Sequence, residues 1–145
     1  MIGLLQRVSS AQVVIDGEQV AAIQRGLLVL VGVEPEDSES HAERLLRRLL
    51  GYRVFPDEAE RMNLSVSDIG GGLLLVPQFT LAADTRKGMR PGFSTAAPPA
   101  LGEALFNHLC ELAKEQHPQV GCGRFGADMQ VGLVNNGPVT FWLQV

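Results

Sequence analysis

Two short segments carry residues able to act on a polar ligand. The first, Pro77-Gln78-Phe79-Thr80-Leu81, closes a run that is otherwise wholly apolar from Leu73 onward. Read as a strand reaching Leu81, its period of two puts Gln78 and Thr80 on one face and Phe79 and Leu81 on the other. An amide and a hydroxyl ending an apolar strand can bind a polar ligand, or can simply mark where the strand meets solvent. The second segment is Asn136-Gly137-Pro138-Val139-Thr140. Asn-Gly reads as a tight turn, and Pro138 removes one amide donor from whatever strand follows. Only about 5–6% of X-Pro bonds in folded proteins are cis, so the isomer of Gly137-Pro138 is not legible in the residues.

The usual catalytic sets are missing. His41, His108 and His117 fall in or beside expected helices, and none has a cysteine or carboxylate at metal-ligand spacing. There is no Gly-x-Ser-x-Gly elbow and no glycine-rich phosphate loop. Cys110 and Cys122 lack zinc-type spacing and read as one core thiol and one loop thiol. No metal site is expected. The net charge of −4 argues against a protein that coats nucleic acid, because such binding depends on releasing counterions from many phosphates. It leaves room for one that grips a single end of an RNA. Arg44, Arg47 and Arg48 lie together, as do Arg86, Lys87 and Arg90. Either group can be a solvated face.

The elements that must position these residues follow from hydrophobic period and turn signals. Residues 2–8 and 12–15 read as strands, the second closed by an Asp16-Gly17 hairpin turn. Residues 27–33 form an unbroken apolar run that suits a central strand buried on both faces, far short of the ~20 residues a membrane-spanning helix needs. From Asp37 to Leu50 the period changes to a helix, capped by Asp37 or Ser38, with Leu45, Leu46 and Leu49 as its stripe and Gly51 at its end. Tyr52 to Phe55 returns to strand, and Gly70-Gly71-Gly72 leads into a strand from Leu73 to Leu81. The loop from Ala83 to Pro98 is long, basic and rich in Gly and Pro, the kind that carries function or moves. Pro98-Pro99 opens a second helix, with Leu101, Leu105, His108, Leu109 and Leu112 on one face. Two closing strands, 129–134 and 139–145, flank the Asn-Asn-Gly-Pro turn. This order predicts one α+β domain over residues 1–145, a curled or barrel-like pair of sheets with two helices packed outside. The first residues lack the basic and apolar regions of a signal peptide, so the expected location is the cytoplasm.

Taken together, the segments resemble the D-aminoacyl-tRNA deacylases across essentially the whole chain. The likeness rests on "QRV" with Arg7, "GLLVLVGV", "GYRVF", "MNLSV", "QFTLAADTRKGMRPGFS", "GRFGADMQV" and "NNGPVTFWLQV", all in family order. The resemblance implies a homodimer without metal or nucleotide cofactor, its active site at the subunit interface. It implies that Gly137-Pro138 is cis and enters the partner's pocket, that Arg7 braces that unit, and that Phe79, Phe125 and Met129 surround the aminoacyl group and terminal adenosine. Gln78 and Thr80 become the catalytic candidates, and Arg86, Lys87 and Arg90 candidate contacts to the acceptor end of the tRNA. The family usually has serine where this chain has Pro77, which removes a hydroxyl and a backbone donor.

That chemistry is feasible without histidine. An aminoacyl ester is already activated by its ammonium group and the neighbouring ribose hydroxyl, so positioning and oxyanion donors can supply what remains of the barrier. Backbone amides near Phe79 and Thr80 are the expected donors and water the nucleophile, with Thr80 orienting, or alternatively attacking if a base lies beside it. Rejecting L-substrates needs a steric clash, because binding one methyl group discriminates by only ~1–3 kcal/mol. Glycine, lacking a side chain, should pass the same filter. The competing expectations are a non-catalytic module that binds an RNA end or another partner, and a general ester hydrolase using Thr80.

Overall fold

The computed structural model describes residues 1–145. Its organising element is β1 (Ile2–Ile15), a single strand where the sequence suggested two. Ser9 and Ser10 carry no hydrophobic signal, but they are held in extended form by pairing with the last strand, β8 (Gln130–Gln144), Ser10 opposite Val134. Along its other edge β1 pairs first with β3 (Gly26–Gly32) and then with β2 (Glu18–Ile23), which follows the expected Asp16-Gly17 turn. All three pairings are antiparallel.

From β3 the sheet continues in parallel to β6 (Gly72–Pro77) and then β7 (Val120–Cys122), giving the order β2-β1-β3-β6-β7 with β8 along the far edge of β1. The sheet curls until β2 lies over β6 and β7. At Gly72 an added Cβ would sit 2.7 Å from Ile23, and at Gly121 3.1 Å from Ala21. The crossing of β3 and β6 is tighter still: a Cβ on Gly26 would fall inside the Gly72 carbonyl, so only glycine allows that approach.

Alternation along the strands splits the interior in two. Leu28, Leu74 and Val76 point into the curl with Val8, Val13 and Ile23. Leu27, Val29, Leu73 and Leu75 point outward to the helices. The helix α1 (Glu39–Gly51) begins at Ser38, as one of the two expected caps, and buries Ala42, Leu45, Leu46 and Leu49. Asp37 instead binds the Met1 ammonium at 2.6 Å. The helix α2 (Pro99–Gln116) opens at the proline pair but buries Gly102, Leu105, Phe106, Leu109, Cys110 and Ala113, a face rotated from the expected one. Leu101, His108 and Leu112 are only partly buried. Each fully buried leucine contributes ~1.5–3 kcal/mol, so these two stripes seal one side of the sheet. The fold is thus the α+β, barrel-like sheet with two outer helices that the pattern suggested.

Three local expectations fail. Tyr52–Phe55 yields only the two-residue β4 (Phe55–Pro56), paired with β5 (Met62–Leu64). The strand expected to reach Leu81 stops at Pro77, and Phe79–Ala82 forms a 3-10 turn. The Asn-Gly segment does not divide two strands either: β8 continues across it as one strand with a bulge at residues 136–139. No helix is long and apolar enough to cross a membrane.

Candidate active site

Pro77 ends β6 without disrupting the sheet. The Gln78 amide donates to the Val31 carbonyl on β3 at 2.8 Å. The preceding position therefore faces β7, and that strand has already ended at Cys122, so the donor that proline lacks would have met little ladder. The chain then turns into the 3-10 segment. Because the strand has ended, Gln78 and Thr80 are not strand neighbours on a common face; the turn brings them together, and the Gln78 side-chain amide donates to Thr80 Oγ1 at 2.5 Å. Leu81 N–H returns to the Gln78 carbonyl at 3.2 Å. The start of such a turn leaves its first amides, here those of Phe79 and Thr80, without an intrahelical acceptor.

This turn forms one wall of an apolar cavity of about 470 Å³. Gln78 and Phe79 line it with Val76 and Pro77, and the facing wall comes from Phe125, Gly126, Ala127, Met129 and Val131. Ala97 and Pro99, where the long loop enters α2, complete it. The facing wall is held close. Gly123 N–H donates to the Leu75 carbonyl at 2.8 Å, and a Cβ at Gly123 would lie 2.9 Å from Met129 Sδ and 3.2 Å from Pro77. The Phe125 ring rests on Gly102 of α2, where a side chain would come within 3.2 Å. Phe79 stays half exposed at the mouth, its ring 5.1 Å from that of Phe93.

The pocket therefore gathers Gln78, Phe79, Phe125 and Met129, with Thr80 at its rim through Gln78. The linings not singled out from sequence, Ala97, Pro99, Ala127 and Val131, are small or aliphatic residues that carry no chemical signal. Gly126 could have been suspected: it has φ +76°, which only a glycine adopts easily.

Arg7, Gly137 and Pro138 lie elsewhere. Opposite β1, Thr140 pairs with Gln6 and Asn135 with Val8, so a single β1 residue, Arg7, faces the whole of 136–139. The surplus is extruded as an exposed excursion of β8 with Gly137-Pro138, a cis bond, at its tip. Its base is pinned. Asn135 Oδ1 accepts the Val139 N–H at 3.0 Å, and Asn135 Nδ2 donates to Thr140 Oγ1 at 2.8 Å. Arg7 donates through Nε to the Asn136 carbonyl at 3.0 Å and through Nη1 to the Val54 carbonyl at 2.6 Å. Neither Gly137 nor Pro138 lines the pocket of its own chain. On the same strand Val134, Phe141 and Trp142 are exposed.

Arg86, Lys87 and Arg90 line a separate, wholly polar cavity with Asp84, Gly92 and Ser94. They are not equivalent. Arg86 makes a two-pronged contact to Asp84, at 2.8 and 2.7 Å, and the paired backbone bonds between Asp84 and Gly92 close the loop around it. Side-chain and then backbone hydrogen bonds from Arg86 hold the Asp84 carboxyl far below the usual carboxylate range. That contact compensates much of the Arg86 charge, whereas Lys87 and Arg90 have no salt-bridge partner. Asp84-x-Arg86 spacing was visible in the sequence; its meaning needed the loop.

The histidines stand apart from the pocket. His41 Nδ1 accepts the Ser38 amide at 3.1 Å, and buried His117 donates from Nε2 to the Gly71 carbonyl at 2.6 Å. His108 Nε2 is buried without a partner. No three His, Cys, Asp or Glu side chains converge. Cys110 is in the core as expected, while Cys122 ends a strand rather than lying in a loop.

Comparison with known proteins adds a common pattern. The chain is 68% identical to the D-aminoacyl-tRNA deacylase of Pseudomonas putida (strain F1) over 145 residues, covering all of both chains. It is 65% identical to that of Stutzerimonas stutzeri (strain A1501) over 144 residues, 99% of each. Among solved structures, the c-Myc DNA Unwinding Element Binding Protein superposes with a TM-score of 0.95 at 38% identity, over 100% of this chain and 99% of that one. A probable eukaryotic D-amino acid tRNA deacylase shares the fold, with a TM-score of 0.85 at 17% identity over 99% and 98%. The profile of the family described as D-Tyr-tRNA(Tyr) deacylase matches residues 4–144, and the chain belongs to that family.

Proposed function

We propose that this protein is a hydrolase that cleaves the ester between a D-amino acid and the 3′ end of tRNA, releasing both. The observation that carries the reading is the apolar pocket closed at one end by the Gln78–Thr80 pair, in a chain matched over its length by deacylases. In this reading the acyl group enters between Phe79, Phe125 and Met129. The ester carbonyl approaches the turn at Phe79 and Thr80, whose amides receive the developing oxyanion, and a water attacks. Thr80 orients rather than attacks: its side-chain partner is the Gln78 amide, and an amide N–H cannot take its proton.

Stereochemical selection is assigned to Gly137-Pro138 from a second copy of the chain. The excursion projects from the surface, is braced at its root by Arg7, and has no role in its own chain's pocket. Exposed Val134, Phe141 and Trp142 on the same strand suit burial against that copy. Backbone carbonyls held there leave room for hydrogen but not for an L-side chain, and exclusion by clash discriminates more steeply than a methyl contact can. Glycyl-tRNA passes this filter. The acceptor end is steadied by Lys87 and Arg90, with Arg86 shaping the loop, and the reaction takes place in the cytoplasm without a cofactor.

The test is deacylation of D-Tyr-tRNA beside L-Tyr-tRNA. Fast release from the first and none above background from the second is expected. Binding of tRNA without turnover of either would favour a non-catalytic module instead. The DNA-unwinding-element name of the 38% identical structure gives that second reading its one support, against which stands the net charge of −4.

A further inference from the structure

A small cavity lies at the root of the β8 excursion, away from the apolar pocket. It encloses about 70 Å³ and is lined by Arg7, Val8, Arg25, Phe55, Pro56 and Asn136. Two of these residues are arginines and none is an acid. Arg25 directly precedes β3, where its carbonyl accepts the Gly72 N–H at 3.0 Å and ties the backbone to the start of β6. Its guanidinium lies over the ring of fully buried Phe55, 5.5 Å from the centroid. It has no ion-pair partner, because the salt bridges of the protein join Met1 to Glu34 and Asp37 and Arg86 to Asp84. Arg7 faces the same cavity, held by two neutral acceptors, the Asn136 and Val54 carbonyls. Those bonds orient its guanidinium without compensating the charge, and they leave Nη2 free. Asp57, the acid that follows Pro56, is committed elsewhere: its Oδ1 accepts the Ala59 and Arg61 amides at 2.8 and 3.0 Å.

We propose that Arg7 and Arg25 together bind a phosphate-type oxyanion at the root of the excursion. Like charges facing one small space repel, and an arginine cannot relieve that repulsion by losing its proton. An anion between them removes it. A guanidinium presents paired N–H groups that match the oxygens of a phosphate. One water occupies ~30 Å³ in the liquid, so the cavity takes a single phosphate group but no nucleoside. Phe55 supports Arg25 and the two carbonyls fix Arg7, so little side-chain freedom is lost on binding.

The position gives the site a consequence. Arg7 holds Asn136, and the bound anion links Arg7 in turn to Arg25 at the start of β3, so occupancy stiffens the root of the projection. The oxyanion has two sources, a phosphodiester of an RNA strand passing the excursion or free phosphate.

The experiment titrates the full chain with inorganic phosphate at constant ionic strength, with chloride as the control. It follows the arginine Nε–H and backbone amide resonances and the melting temperature. Saturable shifts are expected at the Arg7 and Arg25 Nε–H groups and at the Phe55 and Asn136 amides. The melting temperature should be higher in phosphate than in chloride. Arg25→Gln should weaken phosphate binding about tenfold or more, as the loss of a charge-assisted pair requires. Arg25→Lys, which keeps a cation for the Phe55 ring but not the fork, should fall between, and both variants should melt cooperatively in chloride. Equal shifts in chloride, or shifts confined to Lys87 and Arg90 in the other basic cavity, overturn the site. So does phosphate binding that Arg25→Gln leaves unchanged.

Deacylated tRNA then separates the sources. For a phosphodiester, tRNA suppresses the phosphate-induced shifts, and Arg25→Gln weakens tRNA binding several-fold with a salt slope shallower by about one. Equally tight tRNA binding by variant and wild type assigns the site to free phosphate. Only this last arm draws on the deacylase reading. A protein that fails to deacylate D-Tyr-tRNA would sink that reading, while the phosphate titration still decides the site.

Discussion

Residues 77–82 and residues 135–140 both interrupt a strand, and they do so in opposite ways. After Pro77 the chain abandons the sheet: β7 has ended beside it, and a 3-10 turn carries Gln78, Phe79 and Thr80 to the pocket rim. At Asn135 the chain leaves the sheet and returns, because β1 runs on past the gap and offers partners on both sides. The first interruption builds a site inward from one chain. The second builds an outward projection whose Gly137-Pro138 tip takes no part in that pocket. A strand that loses its partner can turn inward, whereas one whose partner continues can only bulge.

The largest expected effect comes from filling the second interruption. Gly137 has φ +139°, and a side chain there would stand 2.7 Å from the Val139 side chain and 3.2 Å from Arg7. Gly137→Val should lower D-Tyr-tRNA turnover about 100-fold or more and also lower the melting temperature, since that φ and the Val139 contact strain any side chain placed there. Equal kcat/KM values for variant and wild type, toward both D- and L-Tyr-tRNA, would remove the projection from the reaction.

A smaller loss is expected at the first interruption. If Thr80 orients through one hydrogen bond, Thr80→Val should cost about tenfold, in proportion to a bond of ~1.4 kcal/mol. Abolished turnover, together with an acyl adduct trapped on wild-type Thr80, would make it the nucleophile. The smallest effect concerns the anchoring of β8 beyond its excursion. Gln144, at the strand's end, donates to both Glu34 oxygens at 3.0 Å, and the Met1 ammonium donates at 3.1 Å. Burial raises the Glu34 pKa, but the bonds from Gln144 and the ammonium outweigh it and leave it lowered. A lowered folded-state pKa means stability that is complete above the unfolded carboxyl value and lost as pH falls through the folded value. Melting temperatures measured from pH 6 to pH 3 should fall less steeply in Glu34→Gln than in wild type. Parallel curves would show that this cluster does not hold the strand.

Much of the architecture was legible because hydrophobic period is a local signal. The buried strand at 27–32, the stripe Leu45-Leu46-Leu49 and the Asp16-Gly17 turn all follow from residues adjacent in sequence. The failures share one cause. Ser9-Ser10, Asn136-Gly137 and Thr80-Leu81 were assigned by local preference, whereas their conformations depend on whether a partner strand runs alongside. The rotated face of α2 is a similar case: Gly102 is buried because the Phe125 ring needs the space, which no helical pattern announces.

By itself, the sequence determined the kinds of elements, their approximate order and the residue types available for chemistry, because these depend on short-range spacing and composition; the family followed from the resemblance of its motifs. Only the tertiary structure decided that Gln78 meets Thr80 across a turn, that Arg86 is held by Asp84, and that Arg7 alone faces a four-residue excursion of β8. Each depends on which backbone groups remain unpaired once distant strands have aligned, and that is a property of the assembled sheet.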